Sequence, residues 1–376
     1  MSYKVLHIVD VWLPVTMNWL SELLSASSSE CEHHVYATYQ ISAYPNGLHP
    51  VNEKKFNTYP INSFHKLRNR INKPLRLHEL KKQIARIQPD VLHIHFGNLA
   101  IEYKSLLLEL NIPFCISLYG YDYEYLPKKD PLTVEHYKAL AQRGGLFLVE
   151  GNYSSRLLMG YGIPNTHIRK LHLLFPRTFP PFHPRWHSPI RLLQVATITE
   201  KKNQLGFVES LQSRHAGKFS IRMFGEPHDP NYHRELTKCI RHKHKHDIQL
   251  FPLIPIQQYL QELSECHFSV QWSQRSSNAD TEGGCPVFLK DSLIAGRPVI
   301  SSRHCDIPEW LIHGYNGFLT EENNQLAFID ILDQLLQLSP YSYTKLKRNA
   351  QLGVQENLHM LHCKQELLQI YQLQGC

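Results

Sequence analysis

Short apolar runs alternate with longer amphipathic segments along most of this chain of 376 residues, and that alternation limits its fold more than any other feature. Such a pattern predicts βαβ units, in which helices cover both faces of a parallel sheet. The runs that predict strands in the first half are Val5–Val9, His34–Ala37, Val91–His95, Phe114–Leu118 and Leu146–Val149. The first half of the chain is therefore expected to form a Rossmann-like α/β domain.

A proline-rich passage at 176–189 interrupts this pattern and predicts a linker. The pattern then resumes with runs at Arg191–Ala196, Ser220–Phe224, Ile248–Phe251, Phe268–Gln271 and Val299–Ser301. A chain of this length suits two domains. We predict an N-terminal domain at 1–180, a C-terminal domain at 190–340, and helices at 341–376 that pack back across the body. Parallel sheets bind ligands at the carboxyl ends of their strands, so both sheets are expected to face a central cleft.

The composition excludes several classes of protein. Hydrophobic residues make up 42% and charged residues 19%, a mixture typical of globular proteins. The first apolar run, Val5–Val9, ends at Asp10 and is too short for a signal peptide or a membrane span. The eight cysteines form no C-x-x-C pair, which disfavours a zinc or redox site and indicates reduced thiols. These features predict a cytoplasmic protein.

Positive charge is concentrated in one stretch of the N-terminal half. Ten lysines and arginines lie between Lys54 and Arg86, beside the acids Glu53 and Glu79. Leucines at helical spacing predict a helix at Pro74–Gln88 within this stretch. The stretch can bind an anionic membrane, an anionic acceptor or nucleic acid, or it can be an ordinary solvated surface. No nucleic-acid-binding motif accompanies it, so we predict no nucleic-acid partner.

The most informative segment is 271–322, which reads QWSQRSSNADTEGGCPVFLKDSLIAGRPVISSRHCDIPEWLIHGYNGFLTEE. Gly283 and Gly284 come just before a proline, and proline is favoured in the first turn of a helix. We therefore predict a helix from Pro286 to Ala295. Free N–H groups and the helix dipole at such a start favour an anion, and glycine lets a diphosphate approach closely.

Two acids stand beside this predicted anion site. Glu282 precedes the helix and Asp291 lies inside it. A carboxylate suits the paired hydroxyls of a sugar, since each oxygen can accept a hydrogen bond. The structural alternatives are a helix cap for Glu282 and a solvated helix face for Asp291.

The stretch EGGCPVFLKDSLIAGRPVISSRHCDIPE, which begins at Glu282, resembles the donor-binding signature of glycosyltransferase family 4. These are retaining enzymes of the GT-B fold, and the resemblance is strongest to those that elongate bacterial surface polysaccharides. The family pattern is E-G-G-x-P, a leucine-rich helix start, an acid, small residues, G-x-P-V and a histidine-containing turn ending in D-I-P-E. The resemblance implies two Rossmann-like domains in the GT-B arrangement.

In that family the first acid of the signature binds the transferred sugar and the second binds the ribose of the nucleotide. The resemblance implies these roles for Glu282 and Asp291. Eight residues separate the two acids here, against seven in the family, and the second acid is Asp instead of Glu. The signature and the similar loops MFGEP and FPLIPIQQYLQEL imply the further donor contacts Gly225, Leu253, Gly283, Gly284, Val287 and Phe288.

A looser match supplies a cation for the donor. VATITEKKNQLGFVESL resembles the family's strand and loop V-G-R-L-x-x-K-K-G. The match implies that Lys202 contacts the donor diphosphate, as a compact ammonium can. Thr197 falls where the family has a second cation, an arginine. Arg303 or His304 can replace it.

Two strand ends of the first half also resemble the family. PDVLHIHFG and NIPFCISLYGYD are similar to its H-x-H-F-G and H-G-x-D motifs. Tyr119 replaces the second histidine, which lies beside the transferred sugar; a tyrosine hydroxyl can donate to a sugar hydroxyl but cannot become cationic near neutral pH. His95 is either a site residue or a satisfied core residue. LFLVEGNYSSRLLMGYGIP resembles the stretch that closes the first domain, and it implies Glu150 and Asn152 at the cleft edge.

The resemblance implies transfer of a sugar, with retention, from a UDP- or GDP-sugar to a hydroxyl of a glycan or lipid-linked acceptor. Catalysis would depend on positioning by Glu282 and Tyr119 and on stabilisation of the leaving diphosphate by Lys202. No D-x-D-type motif stands at the site, so neither a metal nor a cofactor beyond the nucleotide-sugar co-substrate is expected. Thr197 and Asp291, with Tyr119, depart from the family, which leaves a weakly active or inactive nucleotide-sugar-binding protein as an alternative. A nucleotide-sugar epimerase is another.

Family members that build lipid-linked glycans often dock on the cytoplasmic membrane through a basic surface of the N-terminal domain. The resemblance therefore implies a peripheral membrane contact through residues 54–86.

Overall fold

The computed structural model describes residues 3–12, 18–40, 57–62, 73–173, 179–180, 186, 189–357 and 360–375. Contacts divide the chain into two compact units. One comprises Met1–Phe175 with Met360–Cys376, and the other comprises Pro176–His359. The last helix of the chain therefore groups with the N-terminal unit, where the sequence predicted one terminal segment from residue 341 onward.

The N-terminal unit is built on a seven-stranded parallel sheet with the order β3-β2-β1-β4-β5-β6-β7. Its strands are β1 (Tyr3–Trp12), β2 (Cys31–Gln40), β3 (Asn57–Asn62), β4 (Val91–His95), β5 (Phe114–Ser117), β6 (Leu146–Val149) and β7 (Ile168–Lys170). The helices between them are α1 (Asn18–Ala26), α2 (Lys73–Ile87), α3 (Gly97–Glu102), α4 (Lys104–Glu109), α5 (Tyr125–Lys129), α6 (Leu132–Gln142) and α7 (Asn152–Gly160). The order reverses between β1 and β4, the switch point where such sheets bind ligands.

The C-terminal unit repeats this plan with six parallel strands in the order β10-β9-β8-β11-β12-β13. The strands are β8 (Ile190–Val195), β9 (Phe219–Phe224), β10 (Asp247–Phe251), β11 (Phe268–Gln271), β12 (Val299–Ser302) and β13 (Gly317–Thr320). Its helices are α8 (Gln204–Glu209), α9 (Pro230–His242), α10 (Ile256–Glu265), α11 (Val287–Ile294), α12 (Gln325–Gln337) and α13 (Pro340–Asn357). The switch point lies between β8 and β11.

The two faces of the N-terminal sheet differ sharply. Side chains alternate along a strand, so β4, VLHIH, presents Leu92 and Ile94 to one face and His93 and His95 to the other. The leucine and isoleucine join the main apolar core, whereas the histidines are equally buried on the opposite face. The final helix, α14 (Met360–Gly375), packs against β4 there, and its Tyr371 Oη lies 2.8 Å from Nδ1 of His93. One face is thus an ordinary hydrophobic core, and the other buries several polar side chains among apolar ones.

The apolar side of helix α2 faces the core. Leu80 and Ile84 are buried in the cluster beneath the sheet. Three of its basic side chains have acidic neighbours: the ion pairs are Arg76–Glu102 at 3.0 Å, Lys81–Glu109 at 3.8 Å and Lys82–Glu79 at 3.9 Å. The basic residues from Lys54 to Lys73 lie outside the part of the chain whose side chains the structure describes.

The structure also bears on two expectations from the sequence, the lack of a membrane-spanning helix and the reduced state of the cysteines. Among the described residues no helix has the length and apolar character needed to cross a bilayer. The described cysteines are free thiols, and most of them, such as Cys115 and Cys285, are buried.

Candidate active site

The carboxyl ends of β8 and β11 carry an ion pair between the two residues expected to bind the donor. Lys202 ends a short 3₁₀ turn after β8, and Glu282 lies in the loop after β11. Lys202 Nζ is 2.7 Å from Glu282 Oε2, and the two side chains are only 14% and 7% exposed. The pair therefore stands at the switch point of the C-terminal sheet, where ligands of this architecture bind.

Glu282 is held by several donors besides Lys202. Its Oε1 accepts hydrogen bonds from Ser273 Oγ at 2.6 Å and from Gln271 Nε2 at 3.2 Å. Burial alone would raise the pKa of Glu282, but Lys202, Lys201 and these hydrogen bonds outweigh it and lower the pKa to about 2. Glu282 is thus a fixed, ionised carboxylate at neutral pH.

His304 lies beneath this acid and orients its backbone. The N–H of Glu282 donates to His304 Nε2 at 3.1 Å, and His304 Nδ1 is 2.7 Å from Glu322 Oε1. A ring nitrogen that accepts a hydrogen bond carries no proton, so Nδ1 is the donor to Glu322. His304 is 1% exposed, whereas its neighbour Arg303 is 47% exposed and pairs with Glu321. His304 therefore links the loop at Glu282 to Glu322.

Helix α11 starts beside the pair, as the glycines and proline predict. Gly283 has a φ of 76°, which glycine adopts without strain, and the helix runs from Val287 to Ile294. Asp291, in its second turn, is buried, and its Oδ2 accepts a 2.7 Å hydrogen bond from Tyr259 Oη. Phe288 is buried in the same helix, next to the apolar cluster under β8.

Three other predicted donor residues lie on loops at the same edge. Gly225 follows β9, and a Cβ atom there would lie 1.9 Å from the carbonyl oxygen of Ala196, so only glycine lets these loops meet. Thr197 follows β8, and its carbonyl accepts from Gln204 Nε2 at 2.9 Å. Leu253 is half-buried in the loop after β10. Their predicted roles toward a donor remain predictions.

In the N-terminal unit, His95 and Tyr119 are brought together at the ends of β4 and β5. His95 is fully buried, and its Nδ1 is 2.8 Å from Tyr119 Oη. The next residue, Phe96, has a φ of 79°, a rare conformation for an aromatic residue, and its N–H donates to the Ser117 carbonyl at 2.9 Å. Strained backbone of this kind is concentrated at functional sites.

Asp122 ties these two strand ends together. Its Oδ1 accepts from the N–H of Gly97 at 2.7 Å and its Oδ2 from the N–H of Tyr119 at 2.9 Å. Burial raises the pKa of this carboxyl to about 6, although the backbone donors oppose that shift. On the neighbouring strand end, Glu150 is half-buried and Asn152 is exposed, with its Oδ1 2.5 Å from Lys170 Nζ.

Potential metal ligands occur in the N-terminal unit. Within the described ranges, three residues bring ligand atoms within 4.8 Å of one another: His7, His93 and His95. Both ring nitrogens of His93 already have partners at 2.8 Å, Tyr371 Oη and Ser117 Oγ.

Five residues that hydrogen-bond to the predicted site residues, or to the turn that carries them, were not identified from the sequence. They are Asp122, Tyr259, Gln271, Ser273 and Glu322. Asp122 was readable as the acid of YGYD, and Gln271 and Ser273 alternate at the end of β11 in QWSQ. No local signal pairs Tyr259 with Asp291, since they lie 32 residues apart.

Comparison with known proteins agrees with this architecture. The family described as Glycosyl transferases group 1 matches residues 178–353, which include Lys202, Glu282 and Asp291. The solved Anabaena HepE in complex with UDP-glucose superimposes with a TM-score of 0.76 at 12% identity, covering 98% of this chain and 99% of that one. The fold is that of the GT-B glycosyltransferases. The match to the Glycosyl transferases group 1 family lies within the C-terminal unit and covers less than half of the chain.

Two curated relatives are named as biosynthesis glycosyltransferases. The amylovoran biosynthesis glycosyltransferase AmsK of Erwinia amylovora is 30% identical over 154 residues, which is 40% of this chain and 37% of that protein. The putative colanic acid biosynthesis glycosyltransferase WcaL of Escherichia coli is 25% identical over 293 residues, 75% of this chain and 70% of that protein. The chain thus spans little more than a third of one relative and about two thirds of the other.

Proposed function

We propose that this protein is a retaining glycosyltransferase that moves a sugar from a UDP- or GDP-sugar to a hydroxyl of a glycan or lipid-linked acceptor, in the synthesis of a surface polysaccharide. The family match within its C-terminal unit and the names of AmsK and WcaL support the reaction class. The UDP-glucose complex of HepE, a protein of the same fold, supports a nucleotide-sugar donor.

The observation that carries the proposal is the buried pair of Lys202 and Glu282 beside the start of α11. A diphosphate offers Lys202 a stronger anionic partner than a single carboxylate. Once Lys202 turns to the phosphates, Glu282 is free to accept from sugar hydroxyls while Ser273 still holds its other oxygen. The pair thus keeps both groups charged and in place until a donor that satisfies both arrives.

The proposed reaction places negative charge on the leaving group, next to the positive groups of the site. The bond between the anomeric carbon and the phosphate oxygen breaks, the acceptor oxygen bonds to that carbon on the same face, and the acceptor proton passes to the departing diphosphate oxygen. Negative charge grows on the departing nucleoside diphosphate, where Lys202 and the N–H groups at the start of α11 stabilise it. No nucleophile of the protein and no metal takes part in this scheme.

The test is a turnover assay on the purified protein with a panel of UDP- and GDP-sugars in the presence of EDTA. We expect release of nucleoside diphosphate from one donor class, unaffected by EDTA, and an NMR spectrum of the product with the anomeric configuration of the donor. Inverted configuration or loss of activity in EDTA contradicts the scheme. Donor binding without release indicates a binding protein, and interconversion of donor sugars without an acceptor indicates an epimerase.

We further propose that the enzyme works at the cytoplasmic membrane surface through residues 54–86. Each basic residue near an anionic surface contributes about 1 kcal/mol at low screening. The acidic neighbours of Lys81 and Lys82 reduce the contribution from α2. We expect co-sedimentation with anionic but not neutral vesicles, weakening as salt rises. Equal binding to both vesicle types, or to neither, contradicts membrane docking.

A further inference from the structure

A continuous chain of hydrogen bonds crosses the histidine-bearing face of the N-terminal sheet. It joins Ser27 Oγ to His33 Nε2 at 2.9 Å, His33 Nδ1 to His7 Nε2 at 2.9 Å, His7 Nδ1 to His95 Nε2 at 3.1 Å, and His95 Nδ1 to Tyr119 Oη at 2.8 Å. The three rings are at most 4% exposed. We call these five residues the histidine relay.

Every link of the relay has the same sense, because each imidazole points Nδ1 toward Tyr119 and Nε2 toward Ser27. A neutral imidazole has one donor nitrogen and one acceptor nitrogen. Each contact between two histidines needs one of each, so the three rings must share one tautomer. A mixed set would leave two hydrogens or two lone pairs facing each other in a buried contact, which is costly.

The rings are neutral near pH 7. Burial lowers the pKa of His33 to about 4 and that of His95 to about 3, and it also lowers the pKa of His7 well below its usual value. The neighbouring His34 and His93 add to the effect, since positive charges nearby repel. Burial also raises the pKa of Tyr119, so its hydroxyl keeps its proton.

The surroundings of Ser27 favour one of the two tautomers. Its hydroxyl lies 3.4 Å from the carbonyl oxygens of Leu23 and Leu24, and carbonyl oxygens can only accept. When the Ser27 hydrogen points to these carbonyls, its oxygen accepts from Nε2–H of His33, and every group at this end has a partner. All three histidines then carry hydrogen on Nε2. At the other end, the Tyr119 hydroxyl must donate to the bare Nδ1 of His95.

We propose that the histidine relay fixes Tyr119 as a hydrogen-bond acceptor toward a sugar hydroxyl and thereby selects for a donor sugar bearing that hydroxyl. The inference rests on the proposed function and on the position beside the transferred sugar that the family resemblance implies for Tyr119. With its hydrogen committed to His95, the Tyr119 oxygen offers only lone pairs to the substrate. Tyr119 therefore accepts a hydrogen bond from the sugar, whereas the sequence alone suggested that it donates one.

A metal ion is the competing use of these rings, since His7, His93 and His95 lie close together. Tetrahedral zinc needs three free nitrogens at about 2.0–2.1 Å. His93 has neither nitrogen free, because Tyr371 and Ser117 hold both at 2.8 Å. The unbroken relay uses every nitrogen of His7 and His95 as well, so we favour the relay.

The direct test needs no turnover: long-range ¹H–¹⁵N correlation spectra of ¹⁵N-histidine-labelled protein, with and without zinc. We expect His7, His33 and His95 all to be neutral with hydrogen on Nε2 from pH 6 to 8. Hydrogen on Nδ1 of His95, a mixed set, an imidazolium, or zinc-shifted signals from His7 and His95 overturns the proposal. This result stands whether or not transferase activity is found.

Variants assign the signals and separate the relay from packing. His7→Phe keeps a planar ring but breaks the relay in the middle, which frees the tautomer of His95. His93→Phe is the matched control, because His93 is equally buried and also loses two ring hydrogen bonds, but outside the relay. We expect the control to retain Nε2–H on His95. The same change of His95 tautomer in both variants contradicts a relay. Thermal unfolding of each variant checks that both retain a fold of similar stability.

The selection itself is measured with deoxy and deoxyfluoro donor sugars. Fluorine accepts hydrogen bonds only weakly and cannot donate one, so it faces the Tyr119 lone pairs unfavourably. At one sugar position the fluoro donor should bind about threefold to tenfold more weakly than the deoxy donor in calorimetric titration, which avoids the inductive effect of fluorine on the rate. Tyr119→Phe should abolish that difference. A fluoro donor that binds more tightly than the deoxy donor at a Tyr119-dependent position indicates donation by Tyr119 and overturns the proposal. If no donor reacts with the wild type, the proposed function fails and the spectra still decide the relay.

Discussion

The two units share one strand order around the switch point, yet their ligand-facing strand ends differ in charge. At the ends of β4 and β5, a histidine that stays neutral and a tyrosine that keeps its proton lie beside Asp122, whose carboxyl group is held by backbone N–H groups. At the ends of β8 and β11, a lysine and an ionised glutamate face each other at 2.7 Å. Similar backbones thus carry different chemistry: the C-terminal edge suits an anion with hydroxyls attached, and the N-terminal edge suits neutral hydroxyls.

The largest expected effect on activity comes from removing Lys202, the cation at the carboxyl ends of β8 and β11. Lys202→Ala should lower kcat/KM about a hundredfold, because one charge-assisted contact in the transition state is worth about 2–4 kcal/mol. Steady-state kinetics with the best donor checks this. Lys201→Ala is the control: Lys201 pairs with Asp280 at 2.9 Å and contacts the Thr281 carbonyl, so its loss should matter far less. Equal losses in both variants would mean that loop integrity, and not the Lys202 charge, supports activity.

A smaller effect, on donor binding, is expected at Asp291, the second acid of the C-terminal unit's candidate site. Asp291→Asn should weaken donor binding about tenfold, since the ribose needs acceptors on both oxygens and a lost hydrogen bond to a charged group is worth about 1.5–3 kcal/mol. Asp291→Glu should retain binding. Tyr259→Phe removes the 2.7 Å bond that positions Asp291 and should weaken binding less. Calorimetric titration distinguishes these cases, and unchanged affinity in the Asn variant would leave Asp291 a purely structural residue.

The smallest expected effect is a difference in the pH dependence of stability. The pKa of Glu282 falls from 4.5 to about 2, so its stabilising contribution is present above pH 4.5 and is lost as the pH falls toward 2. The pKa of Asp122 rises from 3.8 to about 6, so its contribution is present below pH 3.8 and is lost as the pH rises through 6. The two edges thus respond to pH in opposite senses.

Calorimetric unfolding between pH 4 and 7 checks the expected contribution of Asp122 to stability. In Asp122→Asn the melting temperature of the N-terminal unit should no longer fall across pH 4 to 6, a change of a few degrees. Glu282→Gln serves as the control, because it should leave that part of the profile unaltered. An unchanged profile in Asp122→Asn would show that Asp122 titrates normally.

Much of the fold was predictable because buried parallel strands are continuous apolar runs. All ten predicted runs coincide with or overlap strands, and the helix predicted at Pro286–Ala295 is α11 within one residue at each end. The strands missed were Asn57–Asn62, Ile168–Lys170 and Gly317–Thr320, which are short or rich in polar residues. A strand of this kind is defined by its neighbours in the sheet and not by its own pattern.

The candidate site was predictable only where one segment carries it. Glu282, the two glycines and the start of α11 are continuous in sequence, so their pattern is visible. Tyr259 and the histidine relay are not, because they come together through strand pairing over long sequence separations: His7 and His95 are 88 residues apart. A histidine within an apolar run is equally consistent with a core residue and a site residue until its partners are known.

The most direct test of the central claim, that the C-terminal edge binds the diphosphate of a sugar nucleotide, is calorimetric titration with UDP, GDP and the matching nucleosides. We predict that one nucleoside diphosphate binds the wild type at least tenfold more tightly than its nucleoside, as a charge-assisted phosphate contact worth about 1.5–3 kcal/mol requires. In Lys202→Ala this preference should largely disappear, and in Lys201→Ala it should persist. Equal affinity for diphosphate and nucleoside in the wild type, or a preference that survives in Lys202→Ala, would contradict the claim.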